Sequence, residues 1–269
     1  MLHLSRQNWR LNERSLSMRM LCIIRQVPDA EEGIHIRDGR VDLSGSKLVL
    51  DTMDEYGVEE ALRLREVVPA SDILVVAVGS SRCEEALRTA LAIGADRAIL
   101  VETPEALDVI ALSGVVAKVA QREHIELIFC GGQQADWDSQ ALGAAIAERL
   151  DWPQVTWVTA LSIEGSQLTG KHDVDDGSEA LTVELPTVIT TQQGLNEPRY
   201  PTLPNIIKAK KKPLTVERVE NFAVSPCLVS LSHEIQVKER RRKMIQGKDP
   251  EALVDALIDY LRAETGVLA

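Results

Sequence analysis

No Cys-x-x-Cys pair occurs in this 269-residue chain, whose cysteines Cys22, Cys83, Cys130 and Cys227 stand far apart. That spacing removes the usual zinc, iron–sulfur and dithiol signatures and leaves buried or idle thiols of a reducing compartment. No apolar run approaches the roughly 20 residues of a membrane span. Both the Gly-x-Gly-x-x-Gly fingerprint and a phosphate loop ending in Gly-Lys-Ser/Thr are missing. The histidines, His3, His35, His124, His172 and His233, are scattered, and none has an acid or nucleophile at diagnostic spacing, so no general acid–base pair or metal cage is legible. A net charge of -11 speaks against a nucleic-acid face. The basic run from Lys238 to Lys243 is short, contains Glu239 and makes at most a local docking patch. What remains is a binder, or half of a site, rather than a self-contained catalyst.

With 45% hydrophobic and 26% charged residues, the chain can build one sizeable core with an appendage. Residues 1–17, with Arg6, Arg10 and Arg14 against Glu13, read as an N-terminal extension ahead of a domain opening at Met18 or Met20. The apolar run from Met20 to Val27 predicts a strand buried on both faces, and Asp38-Gly39 predicts a hairpin. Strands at Asp72 to Gly79, Arg97 to Val101 and Glu126 to Cys130 alternate with helices. These are Tyr56 to Val67, capped by Asp54; Cys83 to Ile93, stopped by Gly94; Asp108 to Arg122; and Ser139 to Leu150. Repeated strand–helix units imply a doubly wound, mainly parallel α/β sheet, Rossmann-like in class. After Asp151, the stretches Val155 to Ser162, Gln167 to Val174, Glu179 to Glu184 and Thr187 to Thr191 alternate like meander strands and add an antiparallel extension. The domain is expected to span 18–223, followed by an arm and helix over 224–269 whose first part, Val224 to Val237, is too thin for a core of its own.

In such a sheet ligands gather at the carboxyl ends of strands, beside helix N-termini. The richest candidate is Gly131 to Ala145, GGQQADWDSQALGAA. Gly131 and Gly132 let backbone approach a ligand, and the amides of Ser139, Gln140, Ala141 and Leu142 could hold a phosphate; the alternative is a polar loop capped by Asp138 or Ser139. A second signal is LNEPRYPTLPNIIKAKKKP, from Leu195 to Pro213. Pro198, Pro201 and Pro204 predict an extended loop carrying a bare Leu203, followed by a helix with Lys208, Lys210, Lys211 and Lys212. Such a stretch is either a pre-shaped surface for a partner or a connection ending in a solvated lysine run.

Together with ALRTALAIGADRAILVE at Ala86 to Glu102 and GGQQADWDSQALGAAIAERLDWPQ at Gly131 to Gln154, the proline loop resembles the electron transfer flavoprotein beta subunits, in consistent order from Met20 to Pro213. The resemblance implies a heterodimer whose alpha subunit holds most of an FAD while the beta subunit buries AMP. The pair would carry electrons from flavin dehydrogenases, such as acyl-CoA dehydrogenases, to a quinone reductase or another acceptor. It also implies that the loop from Arg199 through Tyr200, Leu203 and Pro204 to Lys208 docks on the dehydrogenase, with Leu203 as anchor. AMP contacts would fall at Ile23, Asp51, Val78 and Gln140 to Leu142, and Asp173 would reach toward the alpha subunit and flavin. Many members have Asn-Gln-Thr-Gly where this chain has Gln140-Ala141-Leu142-Gly143, and they more often have Glu at the position of Asp173. An electron-bifurcating branch with a second FAD has Asp-Thr-Ala-Gln-Val-Gly, which Asp138 to Gly143 partly resembles. Its NAD-contacting stretch is not matched by Glu102 to Asp108. The reading is therefore a plain carrier with AMP. A bifurcating, NADH-oxidising form and a stand-alone adenine-nucleotide-binding protein are the alternatives.

Overall fold

The computed structural model describes residues 17–29, 31–133, 138–235 and 243–265. The arginines of the N-terminal extension, Asp136 and all of the basic run except Lys243 lie outside them. In chain order the elements are β1 (Arg19–Ile23), β2 (Gln26–Pro28), β3 (Ile36–Arg37), β4 (Arg40–Val41), β5 (Leu48–Leu50), α1 (Thr52–Val67), β6 (Asp72–Gly79), α2 (Cys83–Ile93), β7 (Arg97–Glu102), α3 (Val109–Arg122), β8 (Leu127–Gly131), α4 (Leu142–Leu150), β9 (Gln154–Glu164), β10 (Gln167–Val174), β11 (Gly177–Glu184), β12 (Thr187–Thr191), α5 (Leu203–Ala209), β13 (Leu214–Arg218), a 3-10 turn (Val219–Phe222) and α6 (Pro250–Thr265).

Nine strands form one sheet in the order β11-β10-β9-β12-β8-β1-β6-β7-β13. From β9 to β13 neighbouring strands run parallel, while β10 lies antiparallel to β9 and to β11. The Rossmann-like expectation with an antiparallel extension holds. Alternate residues serve opposite faces, as a period of two requires. Met20, Cys22, Ile73, Val75 and Phe129 pack with α1 and α2, whereas Leu21, Leu74, Val76, Ile128 and Cys130 pack with α3 and α4. Both faces being covered explains why these strands read as unbroken apolar runs. Among the described residues no helix is long and apolar enough to cross a membrane.

The chain leaves β1 for β6 and β7 on one side and returns to β8 on the other, so the crossover reverses between β1 and β8. Ligands of doubly wound sheets bind at such a reversal. The expected single strand from Met20 to Val27 is in fact two pieces. After Ile23 the backbone turns away, and β2 pairs with β5 in a separate antiparallel sheet. The break falls at Arg25, whose amide and guanidinium are both bound by Asp54.

Beyond the 3-10 turn the described chain from 224 to 235 has no regular structure, and no described side chain of α6 is buried. The strand at β13, on the free edge of β7, was not legible as an element of the sheet.

Candidate functional site

At the reversal between β1 and β8 the side chains form a buried polar knot. Asp54, on the first turn of α1, accepts four hydrogen bonds, three from Arg25 and one from Gly131. Its Oδ2 takes the Arg25 amide and Nε, both at 2.9 Å, and its Oδ1 takes Arg25 Nη2 at 2.8 Å and the Gly131 amide at 3.0 Å. Burial pushes the Asp54 carboxyl up, and the adjacent Arg25 guanidinium opposes that push. Four donors on two oxygens are satisfied only by the carboxylate, so the ionised form is the one this geometry fits. Asp54 is therefore not the helix cap expected of it. Asp51 caps α1, accepting from the Met53 amide at 2.9 Å, and the helix starts at Thr52 rather than Tyr56. The Asp51 carboxylate also lies 3.4 Å from Arg25.

The glycines here have protein neighbours. A Cβ on Gly131 would sit 2.4 Å from Arg25 Nη2 and 2.7 Å from Asp54 Oδ1, and one on Gly132 would sit 2.8 Å from the Thr191 carbonyl. Close packing of the knot is thus sufficient to require both residues, whatever approaches from outside. Gly143 abuts Thr190 in the same way, its Cβ position lying 2.3 Å from Cγ2. Thr191 Oγ donates to the Met53 carbonyl at 2.8 Å. These contacts lock β12, β8 and the starts of α1 and α4 together.

Helix α4 begins three residues later than expected. Asp138 and Gln140 take φ of 45° and 54°, a left-handed conformation that cannot be part of a right-handed helix. Ser139, Gln140 and Ala141 therefore form the approach to the helix, and the amides without a helical acceptor are those of Leu142, Gly143 and Ala144. Ala141 at the N-cap has no side-chain oxygen to offer them. The amides thus remain a candidate anion contact, displaced toward the helix interior.

Ile23, Asp51, Val78 and Gly131 come together around the reversal, as β1 is flanked by β6 and β8. Ile23 is buried, so only its backbone could meet a ligand. Asp173 is not brought to them. It is exposed at the end of β10, opposite Ser178, four strands from β1, which at the usual strand spacing is about 19 Å. Arg25, Asp54, Thr190 and Thr191 escaped the sequence reading. An Arg after a strand and an Asp in a helix's first turn read as ordinary punctuation until the sheet order joins them.

The proline loop is stapled at its base and bare at its tip. Arg199 donates from its amide and Nε to Glu59 Oε2 at 3.2 and 2.8 Å, and from Nη2 to Glu59 Oε1 at 2.8 Å and Glu66 at 3.1 Å. Asn196 Nδ2 reaches the Tyr56 carbonyl at 3.0 Å and Glu60 at 2.9 Å. Arg199 is thus committed to holding the loop on α1. At the tip Tyr200 is 92% and Leu203 70% exposed, joined by Ile206 and Ile207. The extended part is shorter than expected: α5 starts at Leu203 and carries Pro204 in its first turn, where a missing N–H removes no helical bond. The lysine run is split as well. Lys208, Lys210 and Lys211 are exposed, but Lys212 turns inward and donates to the Leu91 and Ala95 carbonyls at the C-terminus of α2. Burial lowers the pKa of that ammonium, against the pull of Asp96.

The chain is thus a doubly wound α/β domain with a closed polar knot at its reversal and a stapled loop offering apolar side chains to solvent. Residues 39–221 match the family model described as the electron transfer flavoprotein domain. Similar proteins, each named electron transfer flavoprotein subunit beta, include one from Bradyrhizobium diazoefficiens, 36% identical over 253 residues, covering 93% of this chain and 100% of the relative. One from Mus musculus is 39% identical over 248 residues, 89% of this chain and 96% of the relative. One from Bacillus subtilis is 34% identical over 259 residues, 93% and 100%. The chain belongs to the electron transfer flavoprotein family, among its beta subunits.

Proposed function

We propose that this chain is the beta half of a heterodimeric electron carrier that takes electrons from flavin dehydrogenases, acyl-CoA dehydrogenases among them, and delivers them to a quinone reductase or another acceptor. The observation that carries the reading is the loop from Asn196 to Ala209: staples to Glu59 and Glu60 fix its base, and Tyr200, Leu203, Ile206 and Ile207 stand exposed at its tip. A loop ordered before it meets a partner loses little conformational entropy on docking. Leu203, with Tyr200 and Pro204, is the anchor of that surface; Lys208 adds positive charge beside it, and Arg199 positions it. The domain is 18–223, and the arm with its helix at 224–269 packs on the alpha subunit.

The donor set fits one AMP phosphate. Of the helices α1 to α4 that cover the sheet, α1 and α3 are capped by their own Asp51 and Asp108, while α2 and α4 begin at Arg82 and Ala141 with no side-chain cap. The amides of Leu142, Gly143 and Ala144 would hold the phosphate, with Ser139, Gln140 and Ala141 shaping the approach and Ile23, Asp51, Val78 and Gly131 forming the neighbouring floor. Near them Asp51 and Asp54 outnumber Arg25, which disfavours a second phosphate. FAD, held mostly by the alpha subunit, supplies the redox chemistry when bound. Toward it this chain offers Asp173, exposed on β10, and the loop that brings the electron donor within reach.

Co-purification with the alpha subunit, an absorption spectrum, and chromatography of the nucleotides released on denaturation test the reading. One FAD and one AMP per heterodimer, with no reduction by NADH, is the expected result. Two FAD without AMP, or reduction by NADH, would assign the chain to the bifurcating branch. A colourless monomer holding an adenine nucleotide would make it a stand-alone binder.

A further inference from the structure

We propose that Asp108 is a positioning residue for subunit assembly: its carboxylate latches the C-terminal arm onto α3, so that the alpha subunit closes on an arm already held in place. The inference rests on the reading above that the arm packs on that subunit.

Asp108 is buried and its two oxygens do different work. Oδ1 accepts from the Ala111 amide at 2.7 Å and caps α3. Oδ2 accepts from two successive amides of the arm, Cys227 and Leu228, the second at 2.6 Å. Capping α3 requires only one oxygen, and Ser or Asn caps about as well as Asp. The second oxygen is what a carboxylate adds, and it is spent entirely on a segment 119 residues further along the chain.

The latch completes a track. Lys118, about three turns further along α3, donates to the carbonyl of Phe222. Val224 then lies against Gly114, where a Cβ would come within 3.0 Å of its Cγ1. Cys227 and Leu228 follow at Asp108, so the arm runs antiparallel to α3 from its last turns back to its cap. It goes on to the β3–β4 turn, where the His233 amide donates to the Gly39 carbonyl at 2.7 Å. Along this course packing is incomplete. A cleft of about 430 Å³ lies between α3, α4 and the arm, lined by Lys118, Arg149, Val224 and Ser225 among others. Hydrogen bonds, more than apolar burial, therefore define the path.

Held this way, the arm turns its apolar side chains outward: Leu228 is 62%, Val229 82% and Leu231 93% exposed. Three large apolar side chains in four residues are what an unlike subunit would bury, and similar proteins along the whole chain are named as one subunit of an assembly. An arm already on its track presents that surface at lower ordering cost than a free one.

Asp108→Ser separates the two roles, because serine keeps the cap but is too short to reach Cys227 and Leu228. Cys227→Pro removes one arm donor, leaves α3 untouched and keeps all three apolar side chains of the arm. Both are compared with the unaltered full chain for binding to the alpha subunit, and amide exchange over 224–235 is followed in each. We expect roughly tenfold weaker binding, faster exchange at 227–228 and an unchanged melting temperature for Asp108→Ser, with Cys227→Pro moving binding in the same direction. Undiminished binding by either variant would overturn the latch, and if Asp108→Ser fails to fold, Cys227→Pro decides. If the unaltered chain binds no alpha subunit, or associates with itself through the arm, the functional reading falls instead, and with it the role given to Asp108.

Discussion

Two arginines of this chain make the same three-bond fork to a carboxylate on α1 and differ in where they do it. Arg25 gives Asp54 its amide, Nε and Nη2, and Arg199 gives the same three donors to Glu59. The first fork is sealed at the reversal of the sheet, with Arg25 11% and Asp54 0% exposed in their side chains. In the second, Glu59 is buried but the Arg199 side chain is 44% exposed. Geometry is shared, so the contrast is one of solvent. In the interior a charge that loses its partner has no water to turn to, whereas at the surface it does. Helix α1 thus holds two things at once. Asp54 fixes the strand end that builds the candidate nucleotide floor, and five residues on Glu59 fixes the loop proposed to meet the dehydrogenase.

The widest gap between the forks should appear on removing their acids. Asp54→Ala removes the three-bond fork, leaves the buried Arg25 guanidinium with the longer 3.4 Å contact to Asp51, and takes the acceptor from the Gly131 amide, which should cost about 3–5 kcal/mol in urea unfolding. A cost no larger than that of Glu59→Ala would mean that the two forks are equivalent and burial does not distinguish them.

Next in size is Leu203→Ala, which acts on what the surface fork positions. Burying a leucine in a partner's pocket contributes about 1.5–3 kcal/mol, so kcat/KM for reduction by the dehydrogenase should fall by roughly one to two orders of magnitude with stability unchanged. Unaltered electron transfer removes Leu203 from the docking surface; a large drop in melting temperature would make it a structural residue after all.

Glu59→Ala is expected to be milder, about 1 kcal/mol in stability and a several-fold loss in docking, since Arg199 keeps Glu66 and the prolines keep the loop extended. If reduction by the dehydrogenase is untouched while amide exchange in the loop accelerates, the staple orders the loop without serving its function.

The helices and parallel strands were legible because their signals are local: apolar runs buried on both faces, an Asp before α3, a Gly after α2. The proline loop was legible too, through residues that restrict the backbone by themselves. The two forks were not, since each joins residues 29 or 140 positions apart and depends on strand order. The start of α4 was misplaced for a related reason. Ser139 and Gln140 look like good first-turn residues, and only the left-handed φ of Asp138 and Gln140 postpones the helix. Lys212 was counted as surface charge because nothing in a run of lysines marks the one that turns to cap α2.

The smallest effect concerns Glu60, one residue beyond the surface fork and bound to Asn196 of the same loop. Burial pushes its carboxyl up, while the Asn196 amide and Arg63 pull it back. A carboxyl raised in the folded state binds its proton more tightly there than in the unfolded chain. Its contribution to stability is therefore complete below the ordinary glutamate range and is lost as pH rises through the raised value. Glu60→Gln keeps an acceptor for Asn196 and removes the charge. The variant should match the parent chain near about pH 4 and exceed it slightly near about pH 7, because Asn196 and Arg63 offset part of the cost of burying the charge. Urea unfolding of both proteins across that range measures the difference directly. If the variant is instead the weaker at neutral pH, the ionised Glu60 is worth more to the loop through Asn196 and Arg63 than its burial costs, and the base of the loop is held by the Glu60–Arg63 pair as well as by the Arg199 fork.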